Sequence, residues 1–328
     1  MTAMIERIGV PLGAGVASAL LFIVTVKGTL IALALVYFAP LPMMIAALGW
    51  GALGGGVAVG VACALVAVVA APLAALQFAA IFALPAWTLA AFAALSGAGL
   101  RWRKRPEAAP EWASPGAIVT FAVVIGSLLG LAALVAPMLV SGGYEAGVEA
   151  FARMIEPGFD EVAGAGAMLP EGLSPHEFAL ILVRLSPAAI AGSLPLMLCV
   201  NLYAAARSAA LSHRLRRPWP DLPTTLRLHP ALAVVALAAL GPAFALPAPT
   251  DQFAWVIVGA LSVAFVLQGL ATVHALSRGL PMRPLLLAAL YACCALRSNW
   301  TLPALAIVGV VDSLFSLRAR VAARRPRF

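Results

Sequence analysis

The sequence predicts an all-α protein, a polytopic bundle of transmembrane helices, and three observations carry that prediction. The 328-residue chain is 63% hydrophobic and only 10% charged, with a mean hydropathy of +1.02. Too few polar side chains exist to cover a water-soluble core of that size. Its apolar stretches are long and rich in Ala, Leu and Val rather than short and alternating, which suits helices of roughly 20 residues and not barrel strands. Its basic residues cluster just beyond the ends of those stretches, where the positive-inside bias and anionic headgroups favour them. Lipid offers the backbone no hydrogen-bond partners, so each span must satisfy its own amides as a helix.

Apolar runs bounded by breaks place candidate spans at residues 9–26, 28–48, 51–71, 73–99, 116–140, 177–206, 230–247 and 252–276. The small-residue stretch Val16-Ala17-Ser18-Ala19 comes too soon after Arg7 for a signal-peptide apolar core to precede it, so the first span is expected to be retained. Val26-Lys27-Gly28, Gly49-Trp50-Gly51 and Ala71-Pro72 join the first four spans, and turns this tight make neighbours antiparallel. Cys63, Cys199, Cys293 and Cys294 fall inside apolar stretches without metal spacing and read as small buried hydrophobes.

Charge sets the orientation. Arg101, Arg103, Lys104 and Arg105 mark the cytoplasm, and four preceding crossings put Arg7 and the N-terminus there too. Residues 141–177 then form an acidic extracytoplasmic loop, carrying Glu145, Glu149, Glu156, Asp160, Glu161, Glu171 and Glu177 against Arg153 alone. Basic segments 207–229 and 316–328 return inside, with Arg278 and Arg283 between them. Because Arg283 and the C-terminal arginines must share a side, residues 283–317 are expected to form a hairpin or re-entrant pair turning at Arg297-Ser298-Asn299. The expectation is therefore one membrane domain over 1–328, with eight to ten crossings, both termini cytoplasmic and a bacterial inner-membrane location. Seventeen of the 21 Lys and Arg then lie inside.

Within the outer loop, Tyr144, Val148, Phe151 and Ile155 recur at helical spacing, so an amphipathic helix is predicted over 144–155, either a lid or a helix resting at the interface. Gly and Pro interrupt the remainder of the loop. Gly49 to Gly54 formally matches GxGxxG, but no βαβ context surrounds it, and Gly51/Gly55 with Gly56/Gly60 read as small-residue packing faces. Ala14, Gly15, Ser18 and Ala19 make a similar face that could dock a partner helix.

Polar groups at lipid depth are costly and therefore informative. Arg184, followed by Pro187 and Pro195, and Gln77 are placed toward the outside, whereas Asn201, Gln268 and Asp312 lie nearer the cytoplasm. The bland reading has Arg184 snorkelling outward and Asp312 pairing with a nearby arginine. The sharper one is an outward pocket in which Arg184 and Gln77 bind an anionic or amide-bearing solute, with Asn201, Gln268 and Asp312 as further candidates. The four histidines are scattered, and no HExxH, Walker A or paired-carboxylate motif is present, so neither an enzyme, a metal nor a cofactor is expected. Nucleic acid is excluded as a partner because the basic residues track span ends without aromatic interleaving.

Leu267-Gln268-Gly269 through His274, Val308-Gly309-Val310-Val311-Asp312, Tyr37 to Pro42 with Gly49-Trp50-Gly51, and Leu185-Ser186-Pro187 through Asn201 resemble the YybS-like family of uncharacterised bacterial polytopic membrane proteins. The chain is also distantly similar to the substrate-capture subunits of energy-coupling-factor transporters and to the rod-shape protein MreD. The first of these likenesses implies capture of a vitamin-like solute and a small-residue docking face. The second implies an envelope protein that binds other membrane proteins without transport.

Overall fold

The computed structural model describes residues 2–27, 30–95, 112–162, 172–215 and 217–324. The basic residues Arg101, Arg103, Lys104, Arg105, Arg216, Arg325 and Arg327, and the acidic Glu171, lie outside them. Every regular element in the described residues is helical, and six helices are long and apolar enough to cross a membrane. By length and composition the protein is a multi-pass membrane protein. The chain divides into two compact units, residues 1–122 with 196–227 and residues 123–195 with 228–328.

The first unit starts with α1 (Thr2–Ile23), a 3₁₀ turn at Val24–Lys27 and the short α2 (Leu30–Val36), followed by α3 (Pro40–Val69). Pro40 and Pro42 explain the break at 37–39: neither carries an amide hydrogen, and the Leu41 amide donates instead to Phe38 O at 3.0 Å. Within α3, Gly51 has φ 88° and ψ 172°, a conformation open only to glycine. A methyl on Gly55 would collide with Ala47, eight residues back and about 12 Å away in a continuous helix. The chain therefore folds back at Gly51, and α3 is two helices joined where the sequence placed the 48–51 break. Gly51 and Gly55 consequently share no helix face, and Gly60 has nothing within 4 Å of an added methyl, so only part of the glycine pattern is packing.

After the Ala71-Pro72 turn, α4 (Pro72–Phe78) continues through a π-helical turn at Ala79–Ala83 into α5 (Leu84–Ala94). The wider turn directly precedes Pro85, whose ring would otherwise meet the preceding carbonyls. Phe22, Phe78 and Phe82 cluster with centroids 4.8 to 6.2 Å apart, and Trp87 Nε1 donates to Ala52 O at 2.8 Å. The face of Ala14, Gly15, Ser18 and Ala19 is turned inward. Gly15 lies against Ala58 O and Val61 of α3, and Ser18 and Ala19 are buried, so the chain's own hairpin occupies the surface proposed for a partner helix.

The long helices α6 (Pro115–Ser141) and α8 (Pro175–Leu211) each contribute to both units, with α7 (Tyr144–Val162) between them and the single turn α9 (Leu222–Thr225) after α8. The second unit continues with α10 (Pro230–Ala245), α11 (Thr250–Leu276), α12 (Arg283–Leu296), α13 (Ser298–Phe315) and α14 (Leu317–Arg324). At the centre of this unit α11 and α13 cross with backbones in contact. A methyl on Gly269 would overlap Leu305 O, and one on Gly309 would overlap Phe265 O. Leu228, at the entry to α10, meets Gln268 of α11 and Ser313 of α13. The C-terminal ends of α11 and α13 thus lie together, the two helices run the same way, and α12 carries the chain back between them. The turn falls at Arg297, where the sequence placed it. α12 buries none of its residues, so Cys293 is exposed and not the buried hydrophobe its context suggested.

Gly309→Ala is expected to lower stability by about 1–3 kcal/mol through backbone overpacking, read as a drop in thermal unfolding temperature in detergent. Gly60→Ala, whose methyl meets nothing, should change it by no more than about 0.5 kcal/mol.

Candidate functional site

The segment α6–α7–α8 holds the outermost candidate. Gly142, with φ 75°, closes α6 in the left-handed conformation that favours glycine, and α7 then folds back so tightly that Gly147 lies against the Pro137 backbone. The helix forms as its spacing predicts, but it runs through Pro157 to Val162 instead of stopping near 155. Its buried stripe comprises Val148 and Ala152, while Phe151 is 39% exposed and turned away.

α8 begins on a capping box whose sequence signal is hidden among the loop's other acidic residues. Ser174 N and Oγ both donate to Glu177 Oε2 at 2.8 Å, and Glu177 N donates back to Ser174 Oγ at 3.2 Å, with Pro175 at the first helical position. These bonds hold the Glu177 carboxyl below its usual range. The helix has 37 residues, about 55 Å against a hydrocarbon core of about 30 Å. It is longer than that core by about 25 Å, and its first turn, Pro175-His176-Glu177, is polar. There His176 faces two α7 carboxylates: Nε2 is 3.3 Å from Glu149 Oε2 and Nδ1 is 3.0 Å from Glu156 Oε2. The Glu156 hydrogen bond raises the His176 pKa, and the hydrogen bond from Arg153 lowers that of Glu149.

Arg184 sits further along the same helix, and its Nη2 donates to Glu145 Oε2 at 3.0 Å. The two side chains are 49% and 68% exposed. Leu134, Pro137, Tyr144, Val148, Arg184 and Pro187 help to line a cleft of about 20 Å³, room for about one water. Tyr144 Oη and, at the first turn of α11, Asp251 Oδ1 are buried without a hydrogen-bond partner among the described residues. Gln77 is exposed on α4 and belongs to the first unit, whereas Arg184 belongs to the second.

The remaining polar candidates fill structural roles. Asn201 is 1% exposed, and its Nδ2 donates to Met197 O at 2.8 Å and to Tyr37 O at 2.7 Å. The latter carbonyl is the one released by the proline-induced break at 37–39. Gln268 and Asp312 do meet, as two members of one buried network: Gln268 Nε2 donates to Asp312 Oδ2 at 2.9 Å, and Leu228 N donates to Gln268 Oε1 at 2.8 Å. Arg318 is the nearby arginine that the bland reading of Asp312 called for, and it donates from Nη2 and Nε to Asp312 Oδ2 at 2.7 and 3.0 Å. Its backbone amide donates to Oδ1 at 3.1 Å. The left-handed Ser316, φ 51°, bends the chain so that Arg318 can return to Asp312. With both carboxylate oxygens occupied, this network locks α11, α13, α14 and the entry to α10 together.

Arg217 is an arginine whose role counting could not reveal. It is 6% exposed and donates to Ala93 O at 2.9 Å and to Ala113 O at 2.6 Å. In the same unit the Arg214 guanidinium lies 5.5 Å from the Trp50 ring centroid. Among the described residues, no group of three or more His, Cys, Asp or Glu side chains is placed to hold a metal ion. Compared with protein-family models, curated proteins and solved structures, the chain matches none.

Arg318→Ala should destabilise the protein by about 3–5 kcal/mol by stranding the buried Asp312 carboxylate. The Asp312→Leu, Arg318→Leu double variant should recover most of that loss in a double-mutant cycle of thermal unfolding.

Proposed function

We propose that the chain is a bacterial inner-membrane protein that binds a small anionic or amide-bearing solute on its outer side, in the α6–α8 cleft beneath α7. The observation that carries this reading is the Arg184–Glu145 pair at the cleft wall. The pair is solvent-accessible and weak enough to exchange, so a solute carboxylate can take the place of Glu145 once α7 lifts. Lifting is required, because the closed cleft has room for about one water. The likeness to energy-coupling-factor capture subunits agrees with this reading.

Both termini are cytoplasmic in this proposal, with ten crossings, or eight if α12–α13 do not fully cross. The grouping of chain ends supports it. In the first unit Trp50, Ala93, Ala113, Arg214 and Arg217 gather at one end. In the second, Leu228, Gln268, Asp312 and Arg318 do so. Each group joins segments that the charge asymmetry assigns to the cytoplasm. At 14 and 16 residues, α12 and α10 span about 21 and 24 Å, which favours a locally thin bundle or a re-entrant α12.

A second reading, a non-transport assembly protein resembling MreD in role, is favoured by the intramembrane polar side chains. Gln268 and Asp312 have their hydrogen bonds taken up within the chain, and Asn201 caps a freed carbonyl, as expected of residues that fix helix register.

Protein extracted in mild detergent should carry a small molecule detectable by mass spectrometry, and Arg184→Ala should lose it. Absence of any small molecule, with another membrane protein co-purified, would favour the assembly reading instead. A cysteine placed at Arg325 should be labelled only from the cytoplasmic side, and labelling from outside would overturn the α12–α13 hairpin as the source of an even crossing number.

A further inference from the structure

The geometry points to a proton-operated clasp centred on His176 that fastens α7 to the start of α8. Each ring nitrogen of His176 faces its own carboxylate, Nε2 that of Glu149 at 3.3 Å and Nδ1 that of Glu156 at 3.0 Å. A neutral imidazole carries one N–H, so it can serve only one of them and turns a lone pair toward the other. Only the doubly protonated ring satisfies both. Glu149 and Glu156 stand seven residues apart, two turns along one face of α7, so a single imidazolium braces nearly half the helix.

The other charged groups near the clasp hold it without replacing it. On α7, Arg153 donates to Glu149 Oε1 at 2.8 Å, while Glu145 is engaged by Arg184 of α8. On α8, Glu177 is held ionised by Ser174 beside His176. From the first turn of α11, the charge of Asp251 reaches Tyr144. Among these side-chain types histidine is the one whose ordinary value lies near neutral pH. The pKa of His176 is raised, chiefly by the Glu156 hydrogen bond and against the opposing effect of burial. The clasp is therefore fully formed below the ordinary histidine value and is lost as pH rises through the raised one. The lowered carboxyl of Glu149 keeps its own share of the clasp until pH falls through that lowered value. Above the raised histidine value α7 is held only by the Arg184–Glu145 pair and the buried Val148 and Ala152, and part of the population opens.

As control of access to the Arg184 cleft the clasp rests on the solute-binding proposal, but its opening and closing are measurable without a solute. The test uses the full chain in lipid nanodiscs, with the four native cysteines replaced and spin labels at Ala150 on α7 and Ile181 on α8. One short distance is expected at about pH 6, joined by a longer population at about pH 8.5. His176→Arg should keep the short distance at both values, and His176→Gln should show the mixture at both. A wild-type distribution that ignores pH, or a His176→Gln variant that still responds to it, would overturn the clasp. Should His176→Gln fail to fold, wild type against His176→Arg still decides. Loss of the clasp with Arg184-dependent solute retention intact would sink this inference alone, and the converse result would sink only the solute reading.

Discussion

A chain so poor in charge must find internal partners for every polar group that its helices release, and the architecture is shaped by how it does so. The uninterrupted helices need nothing more, because each amide is satisfied one turn away. Difficulty arises only where a helix breaks or ends inside the bundle. At 37–39 the break releases Tyr37 O, and Asn201 takes it. At the end of α5 and in the segment just before α6, Arg217 takes the carbonyls of Ala93 and Ala113. At the end of α13 the left-handed Ser316 returns Arg318 to Asp312, and Gln268 completes the set by accepting from Leu228.

Close backbone approach is the other half of that solution. Lipid supplies no hydrophobic force between helices, so association depends on dispersion and on contact over small residues. Gly269 and Gly309 bring α11 and α13 to backbone contact, and the Gln268–Asp312–Arg318 network lies close to that crossing. The crossing fixes distance and the network fixes register, so the two act together on one pair of helices.

Much of this was legible in the sequence. Runs of apolar residues and their breaks predicted helices and turns at Gly51, Ala71-Pro72 and Arg297, because each break is a local property of a few residues. The amphipathic α7 was legible for the same reason, although its helix tolerates Pro157 and its buried face shifts from Phe151 to Ala152. What could not be read was long-range pairing. Arg217 looks like any topogenic arginine until the fold brings it to Ala93 and Ala113, whereas the pairing of Asp312 with a nearby arginine, six residues on, was legible. The inward turn of Gly15, Ser18 and Ala19 depends on a hairpin that only the folded chain reveals. The Ser174–Glu177 capping box was present as a local signal and was simply outweighed by the acidic character of its surroundings.

The Arg217 clamp also bears on the order in which the protein can be made. Arg217 lies 124 residues after Ala93 and 104 after Ala113, so ribosomal synthesis delivers both acceptors long before their donor. Until α8 and the residues beyond it are made, the carbonyls of Ala93 and Ala113 must find other partners, water among them. The helices up to α5 can pack as they emerge, but their unit is completed only when the residue beyond α8 is presented. Its completion is therefore a late event in biogenesis, even though most of its sequence is early.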